Sequence, residues 1–476
     1  MHTFSLRAGL AAAFTLCSGL AHAAPVPTLD KDPAGFLRYV ESSPSPAAKA
    51  ARQKIAAGPA ALARERALAQ KEGLAVVPAQ LNRPLPPDDQ NAAPLYLKAA
   101  ALRRGKLRLP NYAETLSARY TYTPEQLARV QKIYDDNREA IALLHQATDR
   151  PQCVFARDWT KDTLNAPFQQ YAGLRESARE LRAESVLLAE EGRYSEAIAN
   201  QTRVYRVAEH AASDPTLISY LVAEAIDAIA TSGMQDILTL AGPNADIDAQ
   251  VGQAVTEKSA RLSLRHALSG EVALGDAGLS LLRHGGPAAL GGLVGDAPVS
   301  PPPSAAAFTP PERRFYANLL DAAEADYIHQ MRAAIRLAET PEEVAAFARA
   351  SRETPTGDLV QEVTRRLSPL QFESMNDVPQ RSAVGHQITR TAAAVLAERA
   401  KTGAYPDRLP GTFTDPYTGR PLGYRREGTG GFVVYSAGPG GHYDGGTPDN
   451  RATYDKARNR FRYPAVPVPV PPEEQR

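Results

Sequence analysis

The sequence predicts a mainly α protein: a helical hairpin or bundle body, followed by a small C-terminal α+β module of one helix and a short antiparallel sheet. Three observations carry this reading. The first is a recurring helix start, at Thr123-Pro124-Glu125-Gln126, Thr309-Pro310-Pro311-Glu312 and Thr340-Pro341-Glu342-Glu343. In each, Thr can cap free N–H groups and Pro occupies the first helical position, where its missing donor costs nothing. The Gln or Glu three residues after Thr can close a capping box. The second is an apolar stripe after Ser213-Asp214-Pro215, in which Ile218, Val222, Ile226, Ile229 and Ile237 recur at nearly helical spacing until Gly242-Pro243-Asn244. The third lies near the C-terminus. There Val384, Ile388, Ala392, Val395 and Leu396 share one helical face, Gly403 can end that helix, and two short strand patterns follow.

The chain opens as a secretory signal. Arg7 supplies a positive start, residues 8–20 form an apolar run too short to span a bilayer as a helix, and Ala21-His22-Ala23 matches the signal-peptidase pattern. Residues 1–23 are therefore expected to be removed near Ala23, placing the product in the periplasm or outside the cell. Leu16 before Cys17 is bulky where a lipid-attachment motif wants a small residue. The longest later apolar segment, residues 217–240, carries Glu224, Asp227 and Asp236, so no transmembrane span is expected. The whole chain has 54 Lys and Arg against 53 Asp and Glu, a balance that becomes even once Arg7 is lost. Such a surface offers no broad basic face for nucleic acid. Cys153 would be the only cysteine left, so the fold must hold by core burial instead of disulfides.

Between signal and C-terminus the pattern divides. Residues 24–94 read as a Pro- and Ala-rich arm with first helices, the clearest over 45–73. A helical domain is expected over 95–284, a Gly/Pro-rich linker or loop over 285–311, and a further helical segment over 312–377. The C-terminal module spans 378–463, and a Pro-rich tail over 464–476 follows, alternating Pro and Val from 464 to 472 as an extended segment. Within the module, residues 421–426 and 432–436 are expected to pair as strands. The loop 438–450 should pack beside the second, with Tyr405, Tyr424 and Tyr435 joining helix and sheet.

The order Gly403-Ala404-Tyr405-Pro406, Asp415-Pro416-Tyr417-Thr418-Gly419, Gly431-Phe432-Val433-Val434-Tyr435 and Asp444-Gly445-Gly446 resembles the C-terminal part of the major pseudopilins of type II secretion. The resemblance covers about the last fifth of the chain and implies a helix feeding a small sheet, with a glycine-rich calcium loop after it. Calcium needs several oxygen ligands. Asp444 and Asp449 are the candidate carboxylates, although Pro439-Gly440 stands where the pseudopilin loop usually has Asp-Gly. A small structural cap without metal is the alternative. No pilin-type leader is present, so assembly as a pilus subunit is not expected. Separately, Glu191-Gly192-Arg193-Tyr194-Ser195-Glu196-Ala197-Ile198 resembles the inter-helix turn of a tetratricopeptide repeat, but Gln201 stands where that repeat wants a large apolar residue.

Arg182-Ala183-Glu184-Ser185 resembles the Arg-x-Glu-Ser segment of lytic transglycosylases, in which Glu is a general acid. The downstream residues of that family are missing, and alternating Arg and Glu predict an exposed, ion-paired face. His266, Glu271 and His284 would converge only through an unpredicted turn. His329 and His386 fall within helical patterns, and Cys153 reads as a small buried apolar residue. No Gly-x-Ser-x-Gly elbow or phosphate loop occurs. The expected function is that of an exported helical binding or scaffold protein whose partner is a protein or another cell-envelope component. A cell-envelope hydrolase acting on glycan through Glu184 is the alternative. Calcium is the one cofactor considered.

Overall fold

The computed structural model describes residues 29, 32–107, 109, 124–161, 169–259, 262–285, 308–338, 358–367, 378–443 and 460–463. Residues 1–23, Thr123, residues 286–307, Thr340-Pro341-Glu342-Glu343, Asp444, Asp449 and residues 464–476 lie outside them.

The first helices correct one boundary. Helix α1 (Pro33–Ser42) forms where a loose arm was expected. Asp32 caps it, and Phe36, Leu37 and Val40 are buried, so packing anchors the Pro-rich stretch. Helix α2 (Pro46–Lys71) follows its Ser45 cap. After a short 3-10 turn come α3 (Ala93–Leu102), α4 (Pro124–Asp136) and α5 (Arg138–Thr148).

Helices α6 (Gln169–Glu190) and α7 (Tyr194–Ala211) form the hairpin suggested by the repeat-like turn, with Gly192 at φ 76°. Gln201 of α7 is fully buried and donates to the carbonyls of Ile229 and Ala230 in α8 (Leu217–Ala241). It lies against Gly233, where any added Cβ would meet its amide at 2.3 Å. A polar residue thus fills the apolar slot of the repeat because the facing helix leaves backbone exposed to it.

Thr216 caps α8, two residues beyond the start read from the sequence. By length and composition α8 is apolar enough to cross a membrane despite its acids, but 67% of its most apolar window is buried inside the fold. It is a core helix. Helix α9 (Ala245–Lys258) turns back beside α7 and α8, and α10 (Leu264–Gly285) follows.

Helix α11 (Pro310–Leu337) starts with the full Thr309–Glu312 capping box. It lies along α2, with α1 and α12 (Leu359–Leu367) beside the pair. Close approach of α2 and α11 depends on Gly58: an added Cβ would stand 2.5 Å from the Asn318 carbonyl. Gly58→Ala is therefore expected to lower stability by about 1–3 kcal/mol, although alanine's helix propensity alone would favour it by ~1 kcal/mol. Gly173→Ala in α6, where a Cβ meets nothing within 4 Å, is expected to stabilise instead. Urea unfolding of both variants tests the contrast, and a stabilising Gly58→Ala would refute the packing argument.

The C-terminal helix α13 (Val378–Thr402) packs on α8 and α9, with Val384, Ile388, Ala392, Val395 and Leu396 all buried. Gly403 ends it at φ 79°. Strands β1 (Gly423–Glu427) and β2 (Gly431–Tyr435) pair as expected, Tyr424 opposite Val434. A third strand, β3 (Arg460–Tyr463), continues the antiparallel sheet on β2, in the order β1-β2-β3. Its short, charged sequence gave no such signal, because an edge strand needs mainly the backbone groups of β2.

Phe432 and Val434 share one apolar cluster with α3 and α5–α9, and α13 contributes to the same cluster. Tyr405 and Tyr424 pack on Phe432, and the Tyr424 hydroxyl donates to the Pro406 carbonyl at 2.7 Å. These two join helix and sheet as expected. Tyr435 instead lies over Gly423 and meets Tyr443 edge-on. Buried Asp415 ties the turn to the exit of β2, accepting from Tyr417 N, Ser436 Oγ and Ala437 N at 2.8–3.0 Å.

Candidate functional site

Helix α13 presents Ser382, His386 and Arg390 at intervals of four residues, so one face carries all three. Across from them α8 supplies Glu224 and Asp227. Ser382 Oγ donates to Glu224 Oε2, and His386 Nε2 lies 2.8 Å from Asp227 Oδ2. Further along, Gln235 donates to Thr389 Oγ1 at 2.8 Å. From α7, Tyr205 meets the His386 ring edge-on, and its hydroxyl is 3.2 Å from Thr231 Oγ1.

This polar layer is strongly charged for its depth. Burial pushes the Glu224 carboxyl up to about 7, helped by neighbouring Asp227 and opposed by its bonds to Ser382 and Tyr220. Burial disfavours the His386 imidazolium, but Asp227 outweighs that effect and raises its pKa. Serine, histidine and two carboxylates are the residue types of acyl transfer, yet their bonding runs between helices. The single hydroxyl proton of Ser382 is committed to Glu224. The arrangement sets the register of α13 on α8.

The second element is an open groove of about 330 Å³ between α9 and α13. Asp248, Gln253 and Glu257 stand on the α9 side; Arg390, Ala393, Ala394 and Ala397 stand on α13; Phe413 also lines it. Asp248 is 1% exposed. Its Oδ2 accepts from Asn244 N at 3.0 Å, whereas its Oδ1 has no partner among the described residues. Burial pushes this carboxyl up to about 7. Gln253 donates to Glu257 at 2.9 Å. No carboxylate pairs with Arg390 among the described residues.

Glu184 departs from its expected setting. It is 5% exposed, not part of an ion-paired surface. Tyr134 donates to its Oε1 at 3.0 Å, and His145 Nε2 is 2.8 Å from its Oε2. The Tyr134 phenol is pushed up to about 12 by burial and by Glu184. Arg182 pairs with Asp236 of α8, and Glu180 with Arg103. Alternating charges on α6 look like a surface only because their partners lie far away in sequence.

The remaining candidates disperse. His266 meets the Ser213 carbonyl, Glu271 accepts from Leu217 N and His284 meets the Ser280 carbonyl. Cys153 is buried, and burial holds its thiol well above the ordinary value. No group of three or more His, Cys, Asp or Glu among the described residues is placed to hold a metal. Sequence reasoning missed Asp248 and Arg390; the only available signal was a charge interrupting the alanine-rich face of α13. Comparison with protein-family models, curated proteins and solved structures finds no match to this chain.

Proposed function

We propose that this protein is an exported binding or scaffold protein of the cell envelope and that it engages its partner through the α9–α13 groove. The observation supporting this reading most directly is the composition of that groove. It sets Arg390, which pairs with no carboxylate among the described residues, and a low alanine strip opposite acids on the neighbouring helix. The acid-base clusters elsewhere, by contrast, hold helices together. Export rests on Arg7, the apolar run 8–20 and Ala21-His22-Ala23.

The test places a photo-crosslinking residue at exposed Gln253 and irradiates cells. An envelope component should be captured, and Ala394→Trp, which fills the groove, should abolish capture. Capture that survives Ala394→Trp would defeat the proposal, as would its absence in the parent protein. Peptidoglycan cleavage lost in Glu184→Gln would replace it with the hydrolase reading.

A further inference from the structure

We propose that the α9–α13 groove binds a short zwitterionic peptide with an apolar side chain. Arg390 would hold its carboxylate, Asp248 its ammonium, and Ala393, Ala394, Ala397 and Phe413 its side chain. This inference rests on the binding reading above and adds the ligand's chemistry.

Charge complementarity carries the argument. The acids lining the groove belong to α9 and its cation to α13, so the two walls have opposite sign. A purely anionic ligand would meet Asp248 and Glu257, and a purely cationic one would meet Arg390. A ligand with both charges, one at each end, satisfies both walls. The guanidinium has a planar fork of donors suited to a carboxylate. Asp248 needs the opposite partner. A buried acceptor without a donor is costly, and its Oδ1 finds none among the described residues. A ligand ammonium supplies donor and charge together.

Size and lining narrow the class. At about 330 Å³ the groove lies at the lower end of ligand pockets, which suits a dipeptide better than a long chain. Gly252 does not set the helix spacing here, since an added Cβ would stand at an ordinary contact distance of 3.8 Å from the Ala393 methyl. The alanines leave a shallow apolar strip, and Phe413 adds an aromatic surface to the lining.

The experiment is calorimetric titration of the mature protein with L-leucyl-L-leucine at about pH 7.4, above the value near 7 at which Asp248 ionises and below the roughly 7.7–8.0 at which a terminal amine loses its proton. Its N-acetyl and C-amide derivatives serve as comparisons. The free dipeptide should bind, and each blocking group should weaken binding about tenfold or more. Arg390→Gln should weaken the free dipeptide similarly and erase its advantage over the amide, because the two changes remove the same contact. Asp248→Asn, which can keep the bond from Asn244 N, should erase the advantage over the N-acetyl form.

Should Asp248→Asn fail to fold, the Arg390→Gln and amide comparison alone decides. Equal affinity for all three peptides, or an Arg390→Gln variant that still prefers the free carboxylate, would overturn the proposal. If the dipeptide does not bind but Ala394→Trp still abolishes crosslinking at position 253, the ligand assignment falls and the binding role stands. If both measurements fail, both readings fall.

Discussion

Replacing Glu324 with leucine is expected to lower folding stability by about 3–5 kcal/mol, the usual cost of removing one partner from a buried ion network. Glu324 is fully buried at the meeting of α2, α10 and α11. Its Oε1 accepts from Arg66 Nε at 2.9 Å and Nη2 at 2.5 Å, and its Oε2 accepts from Arg283 Nη2 at 2.5 Å. Arg66 also pairs with Asp276, and Arg283 pairs with Asp321 at 2.8 Å. Leucine would leave two guanidiniums sharing what remains of their carboxylate partners, with Arg66 only 31% and Arg283 only 23% exposed. Those outer acids and that residual exposure place the effect toward the lower figure. Urea unfolding of Glu324→Leu measures it, and a loss below about 1 kcal/mol would show that the network adds no more than a surface pair.

Acidification from about pH 8 to about pH 5 is expected to stabilise the protein, a direction set by buried carboxyls that retain protons in the folded state. Burial pushes Glu271 from an ordinary 4.5 up to about 7, with only the Leu217 N–H holding it down. Glu224 reaches about 7 for the same first reason. An acid raised in this way favours the fold fully below its unfolded value. That contribution disappears as pH rises through about 7. His386 acts in the same direction, since a base raised by folding gives stability that is lost as pH rises through its folded value. Two groups work oppositely: burial lowers His210 from 6.5 to about 4, which offsets part of the gain within this window, and Glu72, held low by Arg332, becomes limiting only on further acidification.

The Glu271 shift corresponds to roughly 3 kcal/mol between its two forms. Glu271→Gln should remove up to about that much of the pH dependence while keeping an acceptor for Leu217 N. The measurement is urea unfolding across the pH range for both proteins. Superimposable pH profiles would show that Glu271 does not titrate with folding.

The fold class followed from local signals because those signals are complete within one turn of chain. Ser45, Thr309 and Glu312 cap their helices with atoms three residues away, and Gly403 ends α13 through its own backbone conformation. The core face of α13 was likewise set by spacing, and every residue chosen for it is buried. Helix α1 and strand β3 were hidden for one shared reason. Phe36, Leu37 and Val40 become ordered by contacts with distant helices, and β3 depends on the backbone of β2.

The candidate site was less legible than the fold. His386 and Arg182 were visible as residue types, but their partners Asp227 and Asp236 belong to α8, far away in the chain. Glu184 read as surface because sequence displays the charges of its own helix and conceals Tyr134 and His145, which cover it. Asp248 and Arg390 carried no motif. Only packing places a carboxylate oxygen and a guanidinium, neither with a partner among the described residues, on opposite walls of one groove. The sequence by itself thus determined helix positions and the strand pair, where the deciding contacts are short-range. Tertiary structure decided which charges are buried and which of them are paired, because burial and long-range pairing depend on how the helices meet.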